Sequence, residues 1–139
     1  MKDAIAAFAR AVGWGTLAGA APYMVLLSVP MVLSLLDGEE WLPALMLVIF
    51  PLGLSGMFVM GSALVFGLPL TFILSGRPRE DGGTYALAGA LLGMLVPVAV
   101  VAAMGGDLGG ELLFFSLPGI FAGLVTGTSW GRWREARSR

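Results

Sequence analysis

Four long stretches without any charged residue alternate along the chain with short segments that carry all of its charges. The uncharged stretches hold 26, 36, 25 and 20 residues and run over Ala11–Leu36, Trp41–Gly76, Gly82–Gly106 and Leu112–Gly131. About 20 apolar residues suffice for a helix to cross a bilayer. The pattern therefore predicts an all-α integral membrane protein in which four transmembrane helices form a bundle with short loops.

The second stretch is too long for one crossing and too short for two crossings with a turn between them. Proline and glycine interrupt helices most strongly, so the break is expected at Pro51–Gly53. The crossing itself then lies at about residues 54–74. The preceding segment 41–50 is expected to be a helix on the outer membrane surface, a re-entrant half-helix or the outer end of one long tilted helix.

The other three stretches each predict one crossing, at about residues 12–36, 84–104 and 112–131. The first crossing ends at Asp37–Gly38, because a glycine readily adopts the left-handed conformation that follows a helix. The basic tail Arg132–Arg139, after the last crossing, is expected to fray. The whole chain of 139 residues is then one transmembrane domain.

A weak internal similarity relates the two halves of the chain. Leu17–Ala20 and Leu87–Ala90 have the same sequence, and at the same offset Asp37 corresponds to Asp107. Each half would form a hairpin that leaves and re-enters the same side of the membrane. The similarity therefore indicates a parallel repeat of two hairpins rather than an inverted repeat.

The charges between the spans fall on two opposite sides of the membrane. All Lys and Arg residues lie on the inner side, at Lys2, Arg10, Arg77, Arg79, Arg132, Arg134, Arg137 and Arg139. The outer segments carry only acids, namely Asp37, Glu39, Glu40, Asp107 and Glu111. Basic residues near span ends fix the orientation of a membrane protein, so both termini are expected in the cytoplasm. The abundance of Arg, Ala and Gly favours a bacterial source, and hence a multi-pass protein of the bacterial inner membrane.

Glycines recur at helical intervals in three of the four spans. They are Gly15 and Gly19, Gly89 and Gly93, and the ladder of Gly119, Gly123, Gly127 and Gly131. Residues four apart lie on one helix face, and small residues let helices approach closely in lipid. We expect these eight glycines to be helix-packing residues, either within this bundle or against another membrane protein.

Six of the arginines form an inner basic cluster, made of Arg77, Arg79, Arg132, Arg134, Arg137 and Arg139. Such a cluster is suited to acidic lipid headgroups or to an acidic partner surface, although orienting the protein is its simplest role. Binding of nucleic acid is not expected, because Glu80, Asp81 and Glu135 interrupt the basic residues.

Composition removes most catalytic chemistry from consideration. The chain is 58% hydrophobic and 12% charged, has a mean hydropathy of +0.90 and contains neither Cys nor His. A soluble domain carries about 25% charged residues. No ionisable acid or base lies inside a predicted span, so a membrane-embedded nucleophilic serine would lack a base. We expect no catalytic residue, no cofactor and no metal site, and the outer acids are expected to solubilise the loops.

These patterns favour a non-enzymatic membrane protein that acts through helix–helix contacts, as an accessory subunit or a stabiliser of a membrane complex. The alternative is a small homo-oligomeric channel, transporter or lipid-handling protein, because every span contains proline and because the hydroxyl groups in the spans could line a path. The expected partners are membrane lipids, further copies of the chain or a larger membrane-protein complex.

Overall fold

The computed structural model describes residues 2–38, 41–75, 81–105, 109 and 111–138, and within these ranges it is all-helical, without a strand. The predicted all-α class is thereby confirmed. The elements are α1 (Lys2–Leu36), α2 (Trp41–Ser62), a π-helical segment (Ala63–Gly67), α3 (Leu68–Leu74), α4 (Gly82–Ala103) and α5 (Glu111–Ser138).

The helices pack side by side in the order α2–α1–α5–α4, and each is antiparallel to the helix next to it. The most extensive contact joins α4 to α5, followed by α1 with α5 and α1 with α2. The two outer helices of this row, α2 and α4, approach one another over only a few residues. We call the end with Lys2, Ser75 and Asp81 the basic end, because the arginines of α5 also lie there, and the end with Asp37 the acidic end.

Local sequence signals set two of the helix boundaries. Gly38 follows α1 with a φ of +79°, and the amide of Asp37 donates to the carbonyl of Leu33 over 3.0 Å. The predicted end of the first helix is therefore confirmed. At the start of α4 the carboxylate of Asp81 accepts a 2.6 Å hydrogen bond from the amide of Thr84, which satisfies a donor that the helix itself cannot.

The helix break expected at Pro51–Gly53 is wrong, because α2 continues through Pro51 without interruption. Of the three expectations for residues 41–50, the structure has the extension of a long helix. The irregularity lies instead at the π-helical segment Ala63–Gly67. The ring of a helical proline clashes with the carbonyl four residues earlier, which for Pro69 belongs to Val65, so the wider π-helical turn accommodates Pro69.

Two helices extend beyond the predicted spans at the basic end. The first begins at Lys2 rather than near residue 12, and α5 remains helical to Ser138, so the expected fraying of Arg132–Arg139 is wrong as far as Ser138. The two extensions contact one another at the surface, where Arg137 pairs with Asp3 over 2.9 Å.

Large apolar side chains face outward and small ones face inward. Three helices, Lys2–Leu36, Trp41–Leu74 and Gly82–Ala103, are long and apolar enough to span a membrane. The buried apolar residues are mostly alanines, whereas Leu, Phe, Met, Val and Trp side chains are widely exposed, Phe72 to 86%. Soluble monomers rarely expose apolar patches of such extent. The buried apolar set is Ala7, Ala11, Ala20, Val59, Ala63, Tyr85 and Ala122.

Candidate functional site

The glycines of α4 and α5 face one another and bring the two backbones into direct contact. A methyl group on Gly89 would overlap with the carbonyl oxygen of Gly123, and one on Gly93 would overlap with that of Gly119. On Gly127 it would overlap with the carbonyl oxygen of Tyr85. No side chain larger than hydrogen fits at these positions, so this interface exists only because glycine occupies them.

The glycines of α1 accommodate another face of α5. A methyl group on Gly15 would overlap with the hydroxyl of Thr126, and one on Gly19 would lie 2.9 Å from Cβ of Ala122. At the basic end of α5, Gly131 would place a methyl group 2.8 Å from Cα of Gly82. The structure thus brings all eight glycines singled out from the sequence to one or the other face of α5.

Packing in the two hairpins does not follow the sequence similarity between them. Gly89 and Gly123 are in backbone contact, but Gly53, the counterpart of Gly123, faces open space. Gly19, the counterpart of Gly89, has the hydroxyl of Ser55 as its neighbour on α2, and Ser55 donates to the carbonyl of Thr16 over 3.0 Å. The two hairpins therefore close by different contacts.

A long cleft of about 520 Å³ lies between the two outer helices of the row. One wall consists of α2, the π-helical segment and α3, and the opposite wall is α4. The base is formed by α1 and α5, and the cleft extends from Trp130 near the basic end to Met104 near the acidic end. It exists because α1 and α5 separate α2 from α4 along most of their length.

The cleft is almost wholly apolar, and no charged residue among those that the structure describes lines it. Its aliphatic and aromatic lining includes Leu54 and Phe58 on one wall and Leu92 and Val96 on the other. The hydroxyls of Ser62 and Thr71 donate to the carbonyls of Val59 and Gly67 in their own helical segment, over 3.1 and 2.8 Å. Such bonds mask the polarity of the wall.

Trp130 closes the base of the cleft at the basic end. Its indole N–H donates to the hydroxyl of Thr71 over 3.0 Å and so joins α5 to α3. The ring of Phe8 meets Trp130 edge to face at 5.9 Å, and Trp133 stacks on it at 4.9 Å. Three elements, α1, α3 and α5, are therefore connected through one side chain.

Polar contacts reinforce the same end. Arg134, one turn after Trp130, donates to the hydroxyl of Ser75 over 3.1 Å, and Glu135 accepts from the amide of Gly82 over 3.4 Å. The guanidinium of Arg137 lies 4.6 Å from the ring centre of Trp133 and also pairs with Asp3. The extension of α5 thus contacts α1, α3 and α4.

Asp81 shows a pKa below its ordinary value. The backbone hydrogen bond from Thr84 to its carboxylate is the largest cause, and the side-chain hydrogen bond from Thr84 adds to it. A carboxylate at a helix N-terminus is also stabilised by the helix dipole. The charge of Asp81 therefore stabilises the first turn of α4.

The structure brings together only part of the predicted basic cluster. Arg132 approaches the start of α4 at Gly82, and Arg134 and Arg137 make the contacts described above. The remaining members, Arg77, Arg79 and Arg139, lie outside the described residues. Of the outer acids, Asp37 is exposed, whereas Glu39, Glu40, Asp107 and the side chain of Glu111 lie outside the described part. Where side chains are described, no three acids come together to hold a metal ion.

Sequence reasoning missed two side chains of this region, Tyr85 and Trp130. Tyr85 is only 3% exposed, against Gly127 and Gly131. The contact of Trp130 with Thr71 joins residues 59 apart in the chain and has no local signal. Arg134 was predicted as a member of the basic cluster, and its place on the same helix face as Thr126 and Trp130 follows from the four-residue spacing of the three.

Comparisons of the chain with protein-family models, with curated proteins and with solved structures gave no match. The geometry of the cleft and of its basic end is therefore the basis for the functional argument.

Proposed function

We propose that the chain is a non-enzymatic, multi-pass membrane protein whose cleft binds the hydrocarbon chain of a lipid. This is the lipid-handling alternative among the hypotheses drawn from the sequence. The observation that carries it is the cleft itself, an apolar space of about 520 Å³ between α2–α3 and α4. Ligand sites commonly measure about 300–1,000 Å³ and are lined mainly by apolar side chains.

The inside-out distribution of side chains supports a position within the bilayer. Alanines fill the interior while the large apolar residues face outward, as expected where lipid is the solvent. Three helices have the required length and hydropathy. The fourth, α5, packs between α1 and α4 along their length and so occupies the same layer, with residues 112–131 as its predicted span.

The distribution of charge supports an orientation with the basic end in the cytoplasm. The basic residues near the ends of α1 and α5 lie at that end, and Asp37 lies at the other. The positive-inside rule then places both termini in the cytoplasm of a bacterial inner-membrane protein. Reporter fusions test this: a periplasmic phosphatase is expected to be active at Gly109, and a fluorescent protein is expected to be bright at the C-terminus.

The hydroxyls of the bundle argue for a lipid chain rather than for a polar solute. A channel or transporter needs polar groups directed at its path. Ser62 and Thr71 in the cleft, and Ser28 and Thr128 outside it, donate to carbonyls of their own helical segment. These four donors are engaged along the helix, so the wall formed by α2 and α3 resembles hydrocarbon. The buried hydroxyl of Thr126, on the base of the cleft, has no hydrogen-bond partner among the described residues.

The accessory-subunit hypothesis rested on glycine stripes as contact surfaces. In the structure these stripes are occupied by other helices of the same chain. The glycine stripes singled out from the sequence are therefore not free to contact another protein, and the hypothesis loses the feature that motivated it.

The proposal is tested by filling the cleft. Ser62 and Ser28 form a matched pair, because each donates to the carbonyl three residues earlier, but only Ser62 lines the cleft. Native mass spectrometry of Ser62→Phe is expected to show loss of the lipid that the wild type retains. Ser28→Phe is expected to retain it. Equal lipid retention by the two variants would refute the proposal.

A further inference from the structure

We infer that the occupant of the cleft is an anionic phospholipid, with an acyl chain between α2–α3 and α4 and its headgroup beside Arg134 at the basic end. The inference rests on the proposed function and specifies its ligand class. It draws on the volume of the cleft, on the side chains at its mouth and on the difference in charge between its two ends.

The volume of the cleft favours a slender occupant. The cleft offers about 520 Å³ along the length of the bundle, a space that one extended hydrocarbon chain can occupy. A single hydrocarbon chain is narrow enough to enter, and Ser62 and Thr71 on the wall already donate to backbone carbonyls.

A continuous row on α5 leads from the cleft to a guanidinium. Thr126 and Trp130 line the cleft, and Arg134 follows at the same four-residue interval on the same helix face. Arg134 donates to the hydroxyl of Ser75, directly after α3, so its side chain crosses from the base of the cleft to the wall. The guanidinium therefore marks the mouth of the cleft at the basic end.

The indole of Trp130 fixes the width of this mouth. Its hydrogen bond to Thr71 holds α3 next to α5, one turn before Arg134. Tryptophan favours the headgroup level of a bilayer, where its ring is apolar and its N–H meets polar groups. The chain of a bound lipid would thus lie beside the indole, and its phosphate would lie at the level of Arg134.

Charge complementarity gives the direction and the headgroup. Among the described residues the basic end carries the bases Lys2, Arg10, Arg132, Arg134 and Arg137 and the acids Asp3, Asp81 and Glu135, five positive charges against three negative ones. At the acidic end Asp37 is exposed, and the flanking sequence carries acids without a base. A phosphodiester is therefore attracted to the first end and repelled from the second. Guanidinium groups match phosphate geometry particularly well.

The test uses competition between two lipids that differ only in headgroup. The full-length protein is equilibrated with equal amounts of phosphatidylglycerol and phosphatidylcholine with identical chains, and the bound lipids are counted by native mass spectrometry. One phosphatidylglycerol per protein is expected to dominate. Arg134→Gln is expected to lower the ratio of the two bound lipids about fivefold, and Arg134→Lys to restore most of it.

The control removes the same charge from the same end of the bundle. Arg10 is exposed on α1 and does not line the cleft, so Arg10→Gln is expected to leave the ratio unchanged. Thermal stability in detergent verifies that each variant is folded. If Arg10→Gln lowers the ratio as much as Arg134→Gln, the charge of the whole surface determines which lipid binds, and the mouth of the cleft does not. The inference then fails.

The remaining outcomes separate the inference from the proposed function. If the wild type binds both lipids equally and Ser62→Phe displaces both, the headgroup inference fails and the lipid-binding cleft stands. If lipid is absent, or if Ser62→Phe does not displace it, both fail. A dimer mass without lipid would likewise refute both and would assign the apolar surface to a second copy.

Discussion

The interface between α4 and α5 and the gap between α2–α3 and α4 are built from similar residues but have opposite structures. In the first, glycines of both helices face one another and the backbones touch. In the second, none of the glycines of α2 lines the cleft, and apolar side chains such as Leu54 and Phe58 do so instead. Gly53 and Gly61 face open space elsewhere on α2. The number of glycines therefore does not determine whether two helices pack closely. What matters is whether the glycines of two helices meet in register.

The largest effect is expected from a side chain added to the closed interface. Gly123→Leu should destabilise the fold by at least about 3 kcal/mol, because even Cβ would overlap with the carbonyl of Gly89. The same change at Gly61 meets nothing within 4 Å and should be tolerated. Thermal unfolding in detergent compares the two variants, and similar melting temperatures would remove the distinction between the two regions.

Removal of a large side chain should also destabilise the two regions to different extents. Tyr85 is 3% exposed beneath Gly127 and Gly131, and Tyr85→Ala should cost about 3 kcal/mol or more through the cavity that it leaves. Phe58 is 40% exposed at the cleft, so Phe58→Ala should cost less than half as much. Chemical denaturation in mixed micelles measures both, and an equal cost would show that the cleft is packed as tightly as the interface.

A smaller effect is expected where α3 is held to α5. Trp130→Phe keeps a ring but removes the N–H that donates to Thr71, and Thr71→Val removes the acceptor. A double-mutant cycle should give a coupling of about 1 kcal/mol, the usual net contribution of a hydrogen bond. Thr128 bonds within its own helix, so the cycle of Trp130→Phe with Thr128→Val should show no coupling.

The smallest effect is expected at Asp81, where α4 begins. Its pKa lies below the ordinary value of 3.8 because Thr84 donates to the carboxylate. The stabilisation is therefore fully present above that ordinary value and is lost as the pH falls through the lower pKa of the folded state. Unfolding of Asp81→Asn, which keeps the cap but does not titrate, should lack this acid-dependent step. An unchanged step in the variant would assign it to another acid.

Local pattern was sufficient to predict the helical class and the first helix end, because both depend on neighbouring residues. The left-handed Gly38 and the apolar stretches act over a few residues or one span. The same reasoning failed at Pro51, where proline is tolerated within α2, and at the tail, where the pairing of Arg137 with Asp3 accompanies a helix that the isolated sequence does not favour.

The residues of the candidate site were predictable from the sequence, but their arrangement was not. The glycine stripes and the basic residues of α5 are visible in the sequence, and their helical spacing places each set on a face. Which faces meet depends on helix positions that no local pattern specifies. Gly123, which is paired with Gly89, and its counterpart Gly53, which meets no other helix, therefore look alike in the sequence and differ in the structure.

By itself the sequence determined that this protein is helical and strongly apolar, and that its basic and acidic residues lie in separate segments. Those properties follow from side-chain chemistry and from hydrogen bonds within single helices. The tertiary structure alone decided that the glycines are used within the chain, that Tyr85 is buried and that a cleft separates α2–α3 from α4. These features arise from contacts between residues distant in the chain, where the register of whole helices decides which atoms meet.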